Sequence, residues 1–101
     1  MAERWQSIIE HIEQVNSRPF REFRHQSRSG GSINNAYLLE NNEQQYFVKT
    51  NRAGRQAMFE AEARGLNEMA ASATIRVPRA LCVGDDGKQS YIVLEYLQMD
   101  G

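Results

Sequence analysis

Two stretches of the chain repeat apolar residues every three or four positions, a spacing that predicts amphipathic helices. The first stretch covers residues 3–16, and its apolar side consists of Trp5, Ile8, Ile9, Ile12 and Val15. Pro19 follows, and proline disfavours helical geometry in the residue before it, so we expect this helix to end near Arg18. The second stretch covers Arg55–Ala70, and its apolar stripe consists of Met58, Phe59, Leu66, Met69 and Ala70.

Five shorter stretches alternate apolar and polar residues, or run apolar residues together, between small polar turns, which predicts strands. They are Phe20–Ser27, Ile33–Glu40, Gln44–Thr50, Arg79–Val83 and Gln89–Leu97. The last contains the continuous apolar run Tyr91–Leu94, which is typical of a strand covered on both faces. Asp85 and Asp86 lie in the turn Gly84–Gly87, where Asp-Gly turn chemistry accounts for them. We therefore expect an α+β domain: a five-stranded antiparallel sheet, an N-terminal helix, and a helix between strands three and four.

The third predicted strand carries one lysine on the same face as an aromatic residue. Alternation puts Phe47 and Lys49 on one face of that strand. On the second helix Glu62 falls inside the apolar stripe, whereas Glu60 and Glu68 point away from it. Because burying an unpaired carboxylate is costly, an inward Glu62 needs a cationic partner or a proton. A strand Lys with a helix Glu is the arrangement by which kinases hold ATP phosphates. The alternative is a small α+β protein with a solvated Lys49 and a helix rolled to bring Glu62 to its rim.

The Gly30-Gly31 segment joins two predicted strands and does not open a helix. This position excludes the Rossmann fingerprint and the P-loop, which both need a strand-to-helix turn. A glycine loop between antiparallel strands can fold over phosphates with its backbone N–H groups. An ordinary hairpin explains the same residues.

Composition narrows the class of protein further. With 101 residues, 41% of them apolar, and a net charge of −1, the chain fits one small domain and gives no sign of nucleic-acid or membrane binding. Cys82 is the single cysteine, so an internal disulfide and a thiol metal site are excluded, and we expect it to act as a small buried hydrophobe. We expect His11 to be a surface or edge residue, not a ligand. A cytoplasmic location follows as the expectation.

The ordered motifs resemble those of a known family. They are Ser29–Tyr37, Tyr46–Lys49, Met58–Glu62, Val77-Pro78 and Ile92–Leu97. Their order resembles the N-terminal lobe of the protein-kinase-like fold. Their amino-acid sequences are similar to those of the fructosamine kinase (ketosamine-3-kinase) family, which is related to the aminoglycoside phosphotransferases and choline kinases. The likeness runs over nearly the whole chain.

The resemblance implies an ATP site. Lys49 would contact the α- and β-phosphates, and Glu62 would hold Lys49 in place. The phosphate-covering loop would consist of Gly30, Gly31, Ser32 and Ile33.

The same resemblance implies an adenine pocket at the end of the fifth strand. Phe47 would stack near the adenine, and Leu94 would form the back of the pocket. The backbone of Glu95 and Leu97 would hydrogen-bond the adenine edge.

The family transfers the γ-phosphate of ATP, with Mg²⁺, to a sugar hydroxyl of a ketosamine. Its catalytic and metal-binding groups have no counterpart in residues 1–101, so we expect this chain to be a single ATP-binding lobe that is inactive alone. A free lobe would expose Phe47, Leu94 and Leu97, and we expect such a cleft face to self-associate. A non-catalytic interaction module and an aminoglycoside- or choline-type kinase lobe remain as alternatives.

Overall fold

The computed structural model describes residues 3–28, 35–72 and 77–96. In chain order the elements are α1 (Glu3–Asn16), β1 (Arg24–Ser27), β2 (Asn35–Glu40), β3 (Gln45–Arg52), α2 (Gln56–Ser72), β4 (Ala80–Asp85) and β5 (Gln89–Glu95). The strands form one five-stranded antiparallel sheet in the order β1-β2-β3-β5-β4. The predicted α+β fold class is therefore confirmed, with the two helices and five strands in the expected sequence.

The first strand is shorter than predicted, because its first residues serve the core instead of the sheet. β1 begins at Arg24, four residues after Phe20. Phe20 is 1% exposed and packs with the α1 cluster, while its backbone N–H donates to Glu13 Oε2 at 2.8 Å. Glu22 has a φ angle of 54°, which an extended strand cannot contain. The chain therefore turns here before the sheet begins.

Three elements, α2, β3 and β4, each begin one residue later than predicted and end two residues later. β3 continues to Arg52, and α2 ends at Ser72 instead of Ala70. β4 continues to Asp85 because Gly84 pairs with Tyr91 and Asp85 with Ser90, so Gly84 and Asp85 belong to the strand and not to the turn.

The strand register decides which residues share a face. Residues directly opposite each other in an antiparallel pair point to the same side of the sheet. One side carries the rows Ala36–Lys49–Ile92–Val83 and Leu38–Phe47–Leu94–Ala80. The other side carries the row Tyr37–Val48–Val93–Cys82. The predicted face of Phe47 and Lys49 is thus confirmed.

Helix α1 covers the Val48 face of the sheet. Ile8 and Ile12 are fully buried against Val48 and Val93, as the apolar spacing predicts. Val15 is the exception, at 46% exposed. At about 100° per residue it lies roughly 80° from Trp5, at the margin of the apolar stripe.

Helix α2 covers the Lys49 face with a narrower stripe than predicted. Phe59 is fully buried against Ile92 and Leu94, and part-buried Phe47 and Leu66 pack on this cluster. The predicted stripe members Met58 and Met69 are instead 36% and 43% exposed. The prediction of an exposed Leu94 is also wrong, since its exposure is 5%. Because β5 lies between β3 and β4 and α2 packs over it, the apolar run Tyr91–Leu94 is buried on both faces, as predicted.

Candidate functional site

The site is organised around Lys49, in the middle of the sheet on the α2 face. Its strand neighbours in the register are Ala36 on β2 and Ile92 on β5. Ala36 is 7% exposed and Ile92 is fully buried, so the aliphatic part of the Lys49 side chain lies between apolar neighbours. The side chain of Lys49 is 22% exposed, which leaves its ammonium within reach of solvent.

Helix α2 brings a carboxylate to this ammonium. Phe59 and Leu66 lie three residues before and four after Glu62, and both pack on the sheet, so they set the rotation of the helix. That rotation turns Glu62 toward β3, and Lys49 Nζ donates a hydrogen bond to Glu62 Oε2. Glu60, two residues earlier, is exposed, as predicted. Lys49 and Glu62 are thus paired with each other, and both side chains stay partly exposed.

The Lys49–Glu62 pair orients a charge more than it stabilises the fold. Solvent reaches both partners, at 22% and 30% exposure, and ion pairs of that kind contribute at most about 1 kcal/mol. An ammonium has three N–H donors. Among the described residues Glu62 is the one hydrogen-bond partner of the Lys49 ammonium, so two donors can serve an anion. The arrangement holds a fixed cation on a strand and leaves most of its hydrogen-bonding capacity unused.

The segment that contains Gly30, Gly31, Ser32 and Ile33 lies outside the described residues, but the residues on either side of it are described. Arg28 N–H donates to the Ala36 carbonyl at 2.7 Å, which closes the β1–β2 ladder. Ala36 lies directly opposite Lys49. Ala36, two residues after this segment, therefore lies beside the lysine.

The predicted adenine pocket corresponds to the end of β5. Leu94 pairs with Phe47 on one side and Ala80 on the other, and these residues line the α2 face next to the Lys49 row. Glu95 is the last residue of β5. Leu97 lies outside the described residues. The structure thus brings Phe47, Leu94 and Lys49 onto one surface, and the stacking role of Phe47 stays a prediction.

Several contacts near the site join residues that no local pattern connects. Glu95 Oε1 accepts the backbone N–H of Arg79 at 3.1 Å, and Asn67 Oδ1 accepts that of Ala80 at 2.9 Å. Asp85 Oδ2 accepts the N–H of Gly54 at 2.7 Å, which ties the β4–β5 turn to the β3–α2 turn. The bond from Gly54, together with one from the Gly87 N–H at 2.8 Å, lowers the pKa of the Asp85 carboxyl. Sequence reasoning recognised Asp85 as a turn former but had no signal for its partner 31 residues away.

Two other chemically active side chains, those of His11 and Cys82, lie on the other face of the sheet. His11 Nδ1 lies 2.8 Å from Tyr91 Oη, beside an open depression of about 610 Å³ that is lined by α1 and Tyr91. Cys82 is half-buried, and burial raises the pKa of its thiol to about 12. Over the described ranges no three His, Cys, Asp or Glu side chains come together as a metal site. Neither His11 nor Cys82 contributes to the Lys49 site.

Comparison with known proteins gives the family. Residues 4–101 match the family model described as fructosamine kinase. A protein of Synechocystis sp. named as a probable ketoamine kinase is 51% identical over 94 residues, which are 93% of this chain and 32% of that protein. The chloroplastic protein-ribulosamine 3-kinase of Arabidopsis thaliana is 42% identical over 76 residues, which are 74% of this chain and 23% of that protein.

The fold agrees with this assignment. A crystal structure of a candidate fructosamine-3-kinase from Haemophilus somnus 129PT matches with a TM-score of 0.87 and 26% identity, covering 96% of this chain and 33% of that one. This chain spans about a third of the length of those two bacterial relatives. Neither described helix has the length and apolarity that a membrane-spanning helix needs. The chain belongs to the fructosamine kinase family.

Proposed function

We propose that this chain is the ATP-binding lobe of a small-molecule kinase that transfers the γ-phosphate of ATP to a sugar hydroxyl of a ketosamine. The observation that carries the proposal is the ion pair between Lys49 on β3 and Glu62 on α2. Phosphoryl transfer depends on positioning and on electrostatic stabilisation of phosphate oxygens. A lysine held by a helix carboxylate provides both, because its ammonium has a fixed position and its remaining N–H groups can donate to phosphate oxygens.

In this proposal each part of the Lys49 face has one task. Lys49 binds the α- and β-phosphates, and Glu62 keeps the ammonium from swinging into solvent. Gly30, Gly31, Ser32 and Ile33 cover the phosphates with backbone N–H groups. The adenine lies against Phe47 and Leu94, with the backbone of Glu95 and Leu97 at its edge. Burial of Leu94 beneath α2 supports a preformed pocket wall.

The names of the relatives favour the ketosamine as acceptor over the aminoglycoside or choline alternatives. Two of them are named as a probable ketoamine kinase and a protein-ribulosamine 3-kinase. We propose that the acceptor-binding and catalytic groups belong to the part of those relatives that residues 1–101 do not match. We also propose a cytoplasmic site of action, where ATP is supplied, although the Arabidopsis relative is named as chloroplastic.

Mg²⁺ accompanies ATP in reactions of this kind and neutralises charge on the phosphates. Such an ion is commonly held by one or two carboxylates together with the phosphates, and the described residues contain no cluster of three or more His, Cys, Asp or Glu side chains. We propose that its protein ligands lie in the part of the relatives that residues 1–101 do not match.

The test is a chimeric kinase in which this chain replaces the matching segment of the Synechocystis relative. We expect Lys49→Ala to lower kcat/KM about 100-fold or more, since it removes the phosphate-binding charge. Lys88→Ala is the matched control, because Lys88 is an exposed turn residue. Unchanged turnover of Lys49→Ala in an active chimera would reject the proposed function.

A second pair of variants tests the role of the helix carboxylate. Glu62→Gln keeps the shape of the side chain but removes the charge that holds Lys49. We expect it to raise the KM for ATP, whereas Glu60→Gln on the exposed side of the same helix leaves it unchanged. Equal effects of the two substitutions would show that the helix as a whole matters, and not the ion pair.

A further inference from the structure

The last pairing between β4 and β5 is irregular. Glu95 N–H donates to the Arg79 carbonyl at 3.0 Å, which continues the register beyond the Ala80–Leu94 pair. In a regular antiparallel pair the two residues exchange both bonds, so Arg79 N–H would donate to the Glu95 carbonyl. Here Arg79 N–H donates to the side-chain Oε1 of Glu95, at 3.1 Å. A side chain has taken the place of a main-chain acceptor.

This replacement affects the carbonyl of Glu95, which the proposed function puts at the adenine edge. The N–H and C=O of a strand residue point to the same edge, so the Glu95 carbonyl faces the same direction as its N–H, toward Arg79. An Arg79 N–H that is satisfied by the carboxylate does not compete for that carbonyl. Within the part of the chain that the structure describes, the Glu95 carboxylate makes no ion pair. Its interaction there is the hydrogen bond that it accepts from the Arg79 N–H.

The edge of adenine presents a donor, the 6-amino group, beside an acceptor, N1. A carbonyl at the end of a buried strand is the complement of the 6-amino group, and a net hydrogen bond of that kind contributes modestly to affinity. A carbonyl that must also serve a neighbouring N–H is a weaker partner. The Glu95 carbonyl therefore binds the 6-amino group of adenine more strongly when the Arg79 N–H donates to a different acceptor.

We propose that the side chain of Glu95 is a positioning residue for adenine: by accepting the N–H of Arg79, it keeps the Glu95 carbonyl for the 6-amino group. This inference rests on the proposed function, since it needs a nucleotide in the Lys49 cleft. Glu95 acts through its own backbone and touches no phosphate. Loss of the carboxylate lets Arg79 N–H move to the carbonyl, which completes the ladder and weakens adenine recognition.

The first test needs no nucleotide and uses the full 101-residue chain. The variants are Glu95→Ala, which removes the acceptor, and Glu95→Gln, which keeps a side-chain oxygen in place. NMR measures the through-hydrogen-bond coupling between the Arg79 amide nitrogen and the Glu95 carbonyl carbon. We expect the coupling only in Glu95→Ala. A coupling in the unsubstituted chain, or none in Glu95→Ala, overturns the proposal.

The second test measures the specificity for adenine in the chimeric kinase. We expect Glu95→Ala to raise the KM for ATP about 3- to 10-fold, with kcat unchanged. Purine riboside triphosphate lacks the 6-amino group, so its KM is expected to be the same with and without the substitution. The exposed control Glu68→Ala is expected to leave both constants unchanged, and Glu95→Gln is expected to raise the KM for ATP less than Glu95→Ala does.

An equal rise in KM for both nucleotides means that Glu95 only supports the fold, and no rise means that the carbonyl does not read adenine; either result overturns the inference. The proposed function is judged separately. If Lys49→Ala abolishes turnover while Glu95→Ala changes nothing, the kinase proposal stands and this inference fails.

Discussion

The two faces of one sheet perform different tasks. The α1 face is a closed apolar core, in which Ile8, Ile12, Val48 and Val93 have no exposed surface. On the α2 face Phe59 and Ile92 are equally buried, but the neighbouring Lys49 and Glu62 keep 22% and 30% of their side-chain surface exposed. One helix is packed to stabilise the sheet, and the other is packed so that two charges meet at its margin.

Polar groups show the same contrast. On the α1 face Asn16 Nδ2 donates to Tyr46 Oη at 2.7 Å, Tyr46 Oη donates to Gln44 Oε1, and Gln44 Nε2 donates to the Pro19 carbonyl at 2.9 Å. Burial raises the pKa of the Tyr46 phenol. This chain of bonds is satisfied from within, so it fixes the loop after α1 and offers nothing to a ligand. Lys49 keeps donors to spare, which is the property that a binding site needs.

The largest expected effect is on stability, through the α1 face. Ile12→Ala leaves a cavity among fully buried side chains, and we expect the free energy of unfolding to fall by about 2–5 kcal/mol. Urea denaturation of the chain measures this. Val15→Ala on the same helix is the control, and we expect it to stay within about 0.5 kcal/mol because Val15 is 46% exposed. Equal losses would mean that α1 does not form the core.

The second prediction concerns the point where β4 meets the aromatic side of the core. A methyl group at Gly84 would overlap the phenol ring of Tyr91. We expect Gly84→Ala to destabilise the chain by about 1–3 kcal/mol, because the ring must move within a packed cluster. Gly65→Ala is the control: a Cβ there meets nothing within 4 Å, and alanine in a helix is more stable than glycine by roughly 0.5–1 kcal/mol. The two substitutions should shift the urea midpoint in opposite directions.

The third prediction sharpens the division between the faces. Lys49→Met keeps the apolar stem and removes the charge, and Glu62 can be hydrated where it lies. We expect a change in the free energy of unfolding of at most about 1 kcal/mol, together with the loss of turnover in the chimera. A loss as large as that of Ile12→Ala would show that the ion pair stabilises the fold and would remove the contrast.

The smallest expected effect is a pH dependence at Asp85. Its carboxyl has a lowered pKa because the N–H groups of Gly54 and Gly87 donate to it. A group whose pKa is lower in the folded state adds stability above its unfolded pKa of about 4, and that stability is lost as the pH falls through the folded value. We expect Asp85→Asn to flatten the fall in thermal midpoint below about pH 4. An unchanged acid limb would contradict the role of Asp85.

Much of the site was predictable because it depends on side-chain direction along single elements. The period of α2 put Glu62 in the apolar stripe, and the period of β3 put Lys49 beside Phe47; the structure brings the two charges together. The contact made by the Glu95 side chain was not predictable. Its carboxylate reaches Arg79, sixteen residues earlier, across a strand pairing that no local pattern encodes.

The sequence by itself determined the kind and order of the elements, the apolar side of α1, and the two charged residues of the site, because each follows from the spacing of neighbouring residues along one helix or strand. The tertiary structure decided the rest. It placed β5 between β3 and β4, removed Phe20 from the first strand to fill the core, left Met58 and Met69 in solvent, and buried Leu94. The physical reason is that periodicity shows which side of an element is apolar, whereas burial depends on which other element comes to cover it.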